Sequence, residues 1–234
     1  MSSTLLVLTL NEIDGMKAMM PRVKPEWVDQ ILVADGGSTD GTVEWARAQG
    51  YDVVICGGKG LTRAYLAAWP EIRGDTVIYF SPDGNSIPEA IPDLIQKMEK
   101  GYDMVIASRY LGSAKSDDDD RITAFGNLMF RTLINFFFKP KESAVMADPL
   151  VMFRAHKRDI PQQLGINRIE PLDKFFGTHS CWIPLLSMVA LKKKIRWTEI
   201  PVDEPVRIAG RRKLQILRYG ALHLTQIFRE FWRG

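Results

Sequence analysis

Asp83 and Asn85 are two oxygen-bearing side chains two residues apart, a spacing that lets both reach one hard cation such as Mg²⁺ or Mn²⁺. They sit in the stretch Asp75-Thr-Val-Ile-Tyr-Phe-Ser-Pro-Asp83-Gly-Asn85-Ser-Ile-Pro-Glu89. Its β-branched and aromatic part, Thr76 to Phe80, predicts a buried strand. Ser81-Pro82 ends that strand, because proline has no N–H to give to a ladder. A helix follows, with Pro88 in its first turn and Glu89 near its positive end. An ordinary solvated turn could carry the same residues, so the weight falls on where the turn lies. Open α/β sheets bind ligands just beyond the carboxyl ends of their strands, and this turn is at such an end.

The elements before it repeat the arrangement. Thr4 to Leu10 predicts a strand ending at Asn11-Glu12, followed by a short helix over Gly15 to Arg22. Gln30 to Ala34 predicts a second strand, ending at Asp35-Gly36-Gly37. Ser38-Thr39-Asp40-Gly41-Thr42 then caps a helix from Thr42 to Gln49, closed by Gly50. Val53 to Cys56 is a third strand, with Gly57-Gly58-Lys59-Gly60 behind it. Leu61 to Trp69 and Ile87 to Lys100 are helices on either side of the fourth strand. Met104 to Ala107 is a fifth strand, running into Ser108-Arg109-Tyr110. Strands alternating with helices of roughly 10–15 residues predict βαβ units and a largely parallel sheet. The polar exceptions (Asn11, Glu12, Asp35, Asp83, Asn85, Arg109) all fall where strands end. One edge of the sheet then gathers the groups that hold a cation and a nucleotide.

After Arg109 the alternation breaks. Asp117-Asp118-Asp119-Asp120 reads as a mobile, solvated loop rather than a metal site. Ile122 to Phe138 predicts an apolar helix whose Phe136-Phe137-Phe138 end is core or a membrane-facing edge, core being the safer reading. Ala147 to Phe153 is an acidic turn leading into a strand, and Asp148 within it is a turn residue or a candidate base. Asp173 to Leu191 is helical in pieces, broken around Gly177 and Pro184. Ile195 to Val202 is a strand, Arg207 to Lys213 a basic loop, and Leu214 to Trp232 a final amphipathic helix. His156, His179 and His223 are too scattered for a shared metal site, and the Trp and Met residues read as core.

Composition bounds the class. The chain has 234 residues, 46% hydrophobic and 25% charged, the balance of a globular protein of one large domain. Its two cysteines, Cys56 and Cys181, lack metal-type spacing and suit a reducing compartment. Leu5 to Leu10 has no basic flank before it and reads as a strand, not a signal peptide. The longest apolar stretch, Cys181 to Leu191, is far short of the roughly 20 residues that span a bilayer. Net charge is +3, yet residues 192–234 carry eleven Lys/Arg against four Asp/Glu, a balance of +7. A basic C-terminal segment points to an anionic partner: phosphate, a membrane surface or nucleic acid. The acidic strand-end cluster argues against nucleic acid.

Taken in order, these motifs resemble family 2 glycosyltransferases of GT-A fold. The layout is close to that of polyprenyl-phosphate (dolichyl-phosphate) mannose and glucose synthases. Leu8-Thr-Leu-Asn11-Glu12 is similar to the family's opening strand, and Val33-Ala-Asp35-Gly-Gly-Ser38-Thr-Asp40-Gly-Thr42 to its Asp-rich second motif. Lys59-Gly60-Leu61 resembles the Gly-rich turn after the third strand. Ser81-Pro-Asp83-Gly-Asn85 stands in the place of the metal-binding Asp-x-Asp-x-Gln. Ser108-Arg109-Tyr110, and Asp148-Pro149 with Phe153, resemble motifs of the polyprenyl-phosphate branch. Three departures accompany the match. Ser81 replaces the first metal-motif Asp, Asn85 replaces Gln, and Ser180-Cys-Trp-Ile-Pro184-Leu lacks an expected acidic residue.

The resemblance implies an α/β, GT-A-like fold: a mixed, mostly parallel central sheet flanked by helices, as a single domain with a C-terminal helical segment. Residues 1–213 would be the transferase domain, with 1–110 binding the nucleotide sugar and 111–213 the acceptor. Residues 214–234 would be a basic amphipathic helix. Thr9, Asn11, Glu12, Asp35, Lys59, Gly60, Ser81, Pro82 and Asp83 would bind a UDP- or GDP-sugar. Asp83 and Asn85 would hold Mg²⁺ or Mn²⁺ against its phosphates. Arg109, Arg121, Arg207, Arg211 and Lys213 would hold phosphate oxygens of donor or acceptor. The reaction implied is inverting, metal-assisted transfer to a polyprenyl-phosphate acceptor at the cytoplasmic membrane face. Catalytic roles fall to Asp83 and, for a hydroxyl acceptor, to Asp148 as base. A glycan hydroxyl acceptor and a non-catalytic nucleotide-sugar-binding protein are the alternatives, the second supported by Ser81.

Overall fold

A strand covered by helices on both faces is apolar at nearly every position, whereas a half-exposed strand alternates. β1 (Ser3–Thr9), β2 (Gln30–Asp35) and β4 (Thr76–Phe80) follow the first pattern and are buried along almost their whole length. With β3 (Asp52–Ile55), β5 (Met104–Ser108), β6 (Arg154–Lys157) and β7 (Trp197–Pro201) they form one sheet of order β3-β2-β1-β4-β6-β5-β7. This computed structural model describes residues 1–58, 60–167, 182–208 and 216–233. The β1–β2, β1–β4, β2–β3 and β5–β7 pairs are parallel. β6 runs antiparallel to both its neighbours, β4 and β5. The fold is therefore a single mixed α/β domain. β5 is laddered to β6 and β7, so the residues on either side of position 110 share one sheet.

The helices α1 (Ile13–Met19), α2 (Thr42–Ala48), α3 (Leu61–Ala68) and α4 (Ile91–Glu99) connect the parallel strands. In α4, Ile91, Leu94 and Met98 recur at helical spacing and are buried, while Asp93, Gln96 and Glu99 face solvent. α1 lies against the turn after β4 so closely that a Cβ at Gly15 would stand 2.3 Å from the Pro82 carbonyl oxygen. Only glycine admits that approach.

The second part of the chain holds α5 (Arg121–Phe138), α6 (Ile160–Gln163), α7 (Trp182–Lys192) and α8 (Ile216–Trp232). α7 is continuous through Pro184, which falls in its first turn and breaks no hydrogen bond there. It is apolar on all sides, and every residue from Trp182 to Leu191 is buried. α8 packs against α5 and α7. Among the described residues, no helix is long and apolar enough to cross a membrane.

The acidic turn over Ala147 to Phe153 leads into a strand as expected, and that strand begins at Arg154. The backbone donors of Ala147 and Asp148 go to the Glu199 carboxylate, and that of Val151 goes to Asp148. The expectation for the exposed aromatic ends is corrected. Phe138 is buried, but Phe136 is 78% exposed and Trp232 81% exposed, so neither belongs to the core.

Candidate active site

The sheet order places the strands that follow β1 on both of its sides: β2 and β3 on one, β4 on the other. The crevice between the carboxyl ends of β1 and β4 is thus a topological switch point, where open α/β sheets bind ligands. Two segments meet there. Asn11, with φ at 54°, turns the chain after β1. Its amide N–H donates to Ser38 Oγ at 2.7 Å, and its Oδ1 accepts from Thr39 N–H at 2.8 Å. Glu12 N–H donates to Thr42 Oγ1 at 3.0 Å.

Asp35 organises this lacing. Its carboxylate is fully buried and accepts from Thr9 Oγ1 (2.7 Å), Ser38 Oγ (2.5 Å), Ser38 N–H (2.7 Å) and Gly37 N–H (2.9 Å). Asp35, expected to meet the nucleotide, directs its oxygens to Thr9 and the 36–38 turn, and Gly36 of that turn faces the crevice. Asp40 acts likewise on α1 and α2. It accepts from Ile13 N–H at 3.1 Å and Thr42 Oγ1 at 2.6 Å. Those bonds outweigh its desolvation and hold its carboxyl below the usual range.

Across the crevice, the Asp83 turn is strapped from above by residues 204–208. Asp83 Oδ1 accepts from Asn85 N–H (3.2 Å), and its backbone oxygen accepts from Ile208 N–H (2.8 Å). Asn85 Nδ2 donates to the Pro205 carbonyl at 2.9 Å. Arg207 places Nη1 at 3.3 Å from Asp83 Oδ2 and Nη2 at 3.4 Å from Asp118 Oδ2. Gly84, at φ +102°, lies under Ile208. Asp118 is therefore not part of a loose acidic loop, and neither is Asp119. Asp119 accepts from the Tyr110 hydroxyl and from Asn127 Nδ2, and Asp120 caps α5 by accepting from Thr123 N–H at 2.7 Å. The solvated-loop expectation is corrected for Asp118 and Asp119 alone, since Asp117 and Asp120 are exposed.

Arg109 and Asp148 meet, but they meet each other. Arg109 Nε and Nη2 donate to the two Asp148 oxygens at 2.7 and 3.0 Å, and Nη1 lies 3.1 Å from Glu204 Oε2. The side chains are 11%, 1% and 14% exposed respectively. Burial draws the Arg109 pKa down, but Asp148 and Glu204 outweigh it and hold the guanidinium charged. Asp148 also accepts from Arg109 and Val151 N–H groups. Asp148, the candidate base, is enclosed by these donors and is not part of the cavity lining. Arg109, expected to hold phosphate oxygens, lines the crevice while pairing with two carboxylates. Behind them the fully buried Arg154 donates to the Pro149 and Val151 carbonyls and to Ser187 Oγ, which fixes the turn carrying Asp148. Burial pushes the Glu199 and Glu204 carboxyls up.

The crevice opens into a cavity of about 870 Å³. Its polar end carries Thr9, Asn11, Glu12, Gly60, Ser81, Asp83, Asn85, Arg109 and Arg207, so most of the sequence-predicted residues are brought together. Pro82 is buried beneath α1, and Arg121 stands exposed at the start of α5, beside the lining residues Ile122 and Thr123 but not among them. Lys59, Arg211, Lys213, His179 and Cys181 lie outside the described residues. Cys56 is buried, and burial pushes its thiol up to about 11. The other end is apolar, walled by Ile122, Phe130, Leu150, Met152, Ile183 and Tyr219. Sequence reasoning missed Glu199, Glu204 and Arg154. Arg154 is a charge inside a strand otherwise largely buried, a mismatch that marks a paired or hydrogen-bonded group.

Known proteins share this architecture. The glycosyl transferase family 2 model matches residues 6–159. An undecaprenyl-phosphate 4-deoxy-4-formamido-L-arabinose transferase of Klebsiella pneumoniae (strain 342) is 26% identical over 233 residues, covering 92% of this chain and 63% of that protein. The chain thus spans less than two thirds of the length of such curated relatives. Among solved structures, mannosyl-3-phosphoglycerate synthase from Rubrobacter xylanophilus superposes with a TM-score of 0.68 at 21% identity, over 100% of this chain and 75% of that one. Glucosyl-3-phosphoglycerate synthase from Mycobacterium tuberculosis, solved with Mn²⁺, UDP and glucosyl-3-phosphoglycerate, gives 0.62 at 20% identity, over 98% and 79%. These two likenesses are likenesses of fold. With the family model spanning β1 through β6, and the switch-point crevice built from its motifs, the chain belongs to glycosyl transferase family 2.

Proposed function

We propose that the chain transfers a sugar, with inversion, from a UDP- or GDP-sugar to a lipid phosphate of the polyprenyl type. The observation that carries this reading is the two-ended cavity. Asp83, Asn85 and Arg207 stand at one end, and the apolar walls of α5, α7 and α8 form the other. An amphiphilic anion matches that division. A phosphate acceptor is already ionised at neutral pH and needs no base, which suits a cavity where the Asp83, Asp118, Asp119 and Glu204 carboxylates each hold a donor.

The Asp83 turn offers one carboxylate and one carboxamide. Among the described residues, no group of three or more His, Cys, Asp or Glu is placed to cage a metal. This set suits an ion that takes its remaining ligands from phosphates and water, as Mg²⁺ and Mn²⁺ do in nucleotide sites. Asp83 and Asn85 Oδ1 would hold it, and it would neutralise the departing nucleoside diphosphate. Arg207, already beside Asp83, would turn to the donor phosphates.

The test is transfer of radiolabelled sugar from a UDP- and GDP-sugar panel into organic-extractable undecaprenyl phosphate, with 3-phosphoglycerate as a water-soluble comparison acceptor. Label should enter the lipid and be lost in Asp83→Ala. Label in phosphoglycerate alone would replace the acceptor class. No transfer, with nucleotide binding intact, would favour a binding protein.

A further inference from the structure

α5 carries an apolar stripe on its outward side. Ile122, Phe125, Leu128 and Phe136 are 65%, 68%, 55% and 78% exposed, at spacings that keep them on one face. At 1.5 Å per residue the stripe is about 20 Å long. The helix contains no acidic residue. α8 runs alongside in the same direction, since Phe130 meets His223 and Phe137 meets Phe231. At the shared C-terminal tip, Phe228, Phe231 and Trp232 are 54%, 47% and 81% exposed. Exposed aromatics gathered in this way mark an interaction surface.

We propose that this stripe and tip dock on an anionic lipid surface, with the mouth of the cavity turned toward it. Charge around the tip selects the occupant. Lys139, Lys141, Lys192 and Lys194 line one crevice there with Phe231, and the acid among them, Glu230, is buried and paired to Arg229 and Arg233. Lys139 and Lys192 also donate to backbone carbonyls. Aromatic side chains at interface depth, ringed by lysines, fit a headgroup layer carrying negative charge. A second copy of the chain fits less well, because a two-fold contact would set one lysine ring against another. The first turns of α5 connect the surface to the site. Ile122 belongs to the exposed stripe and also lines the cavity. Apart from Ile122 the docking face shares no residue with the cavity; only its purpose, delivery of a lipid acceptor, rests on the proposed function.

The experiment is flotation of the full chain with phosphatidylcholine vesicles, with and without phosphatidylglycerol, across a salt series. Two paired variants accompany it, Phe136→Ser/Trp232→Ser and Lys141→Glu/Lys194→Glu. The wild type should float with the anionic vesicles, less so at high salt. The aromatic pair should partition about tenfold or more weakly. The lysine pair should lose the preference for phosphatidylglycerol and its salt dependence. Both pairs should keep nucleoside-diphosphate binding, which certifies the fold. A wild type that never floats, or variants that float as it does, would overturn the proposal. So would a dimer that the aromatic variant splits in the absence of vesicles. Vesicle binding without sugar transfer to a lipid phosphate would leave the docking face standing and refute the acceptor.

Discussion

Arg109→Met is the substitution most able to show whether the centre of the domain is held by charge. The Arg109 and Asp148 side chains are 11% and 1% exposed and share bonds of 2.7 and 3.0 Å, with Glu204 3.1 Å from the same guanidinium. Methionine preserves much of the volume but leaves two buried carboxylates facing no cation. Breaking a buried pair from one side costs about 3–5 kcal/mol, because the remaining charge is desolvated without compensation. For a chain of this size, each kcal/mol lowers Tm by about 2–4 °C, so a fall of roughly 6–20 °C is expected. Urea unfolding followed by circular dichroism, with Tm from the same samples, gives the value. The double variant Arg109→Met/Asp148→Asn separates charge from packing. An asparagine can still accept from the Val151 N–H without a formal charge, so the double variant should regain a large part of the loss. If the single variant stays within about 1 kcal/mol of wild type, the pair contributes no more than an exposed one. The account of Asp148 as a charge held by Arg109 would then be wrong.

Other expectations follow from single contacts. Arg207→Ala removes a guanidinium that is 26% exposed and 3.3 Å from Asp83. Nucleoside-diphosphate affinity should drop about tenfold to a hundredfold by calorimetry, with stability changed by less than about 1 kcal/mol. Gly84→Ala would place a Cβ 2.4 Å from Ile208 Cγ1 and 2.8 Å from its backbone nitrogen, at φ +102°. The 204–208 strap should be pushed off, seen as faster tryptic cleavage after Arg207; an unchanged cleavage rate would contradict the close fit. Burial holds the His156 ring down to about 4 from its ordinary 6.5. The folded protein therefore resists a proton that the unfolded chain accepts. Stability should fall as pH drops through that window, by up to about 1.4 kcal/mol per pH unit from this group. His156→Gln should remove that share of the slope in urea midpoints measured across the same range.

The parts of this protein that could be read from its sequence are those determined by neighbours along the chain. β1, β2 and β4 declare themselves because burial on both faces demands an unbroken apolar run, and Pro82 and Gly36 mark where each run must stop. The Asp83 turn could be located for the same reason. What escaped is set by partners far away in the chain. Nothing near Asp118 announces Arg207, and nothing near Asp148 announces Glu199, although each pair is in contact. Hydrophobicity alone also misplaced Phe136 and Trp232. An apolar side chain records a preference for leaving water, but not whether its own protein supplies the cover. Asp35 is a finer case: its position at a strand end was legible, and the direction its oxygens face was not.

The reversed strand β6 has a consequence for how the molecule is made. β5 ends at Ser108, and the strand that joins it to β4 begins at Arg154. At about 5–20 residues per second, a ribosome spends several seconds between the two. During that interval the β3-β2-β1-β4 sheet can form, but the flank of β4 stays open and β5, though it can pack on α4, has no strand to pair with. An open edge of this kind recruits other chains. Assembly thus cannot follow the order of synthesis: the later strand must slot in before the earlier one can join the sheet. Nascent chains stalled just after Ser108 are expected to be the ones that aggregate or hold a chaperone.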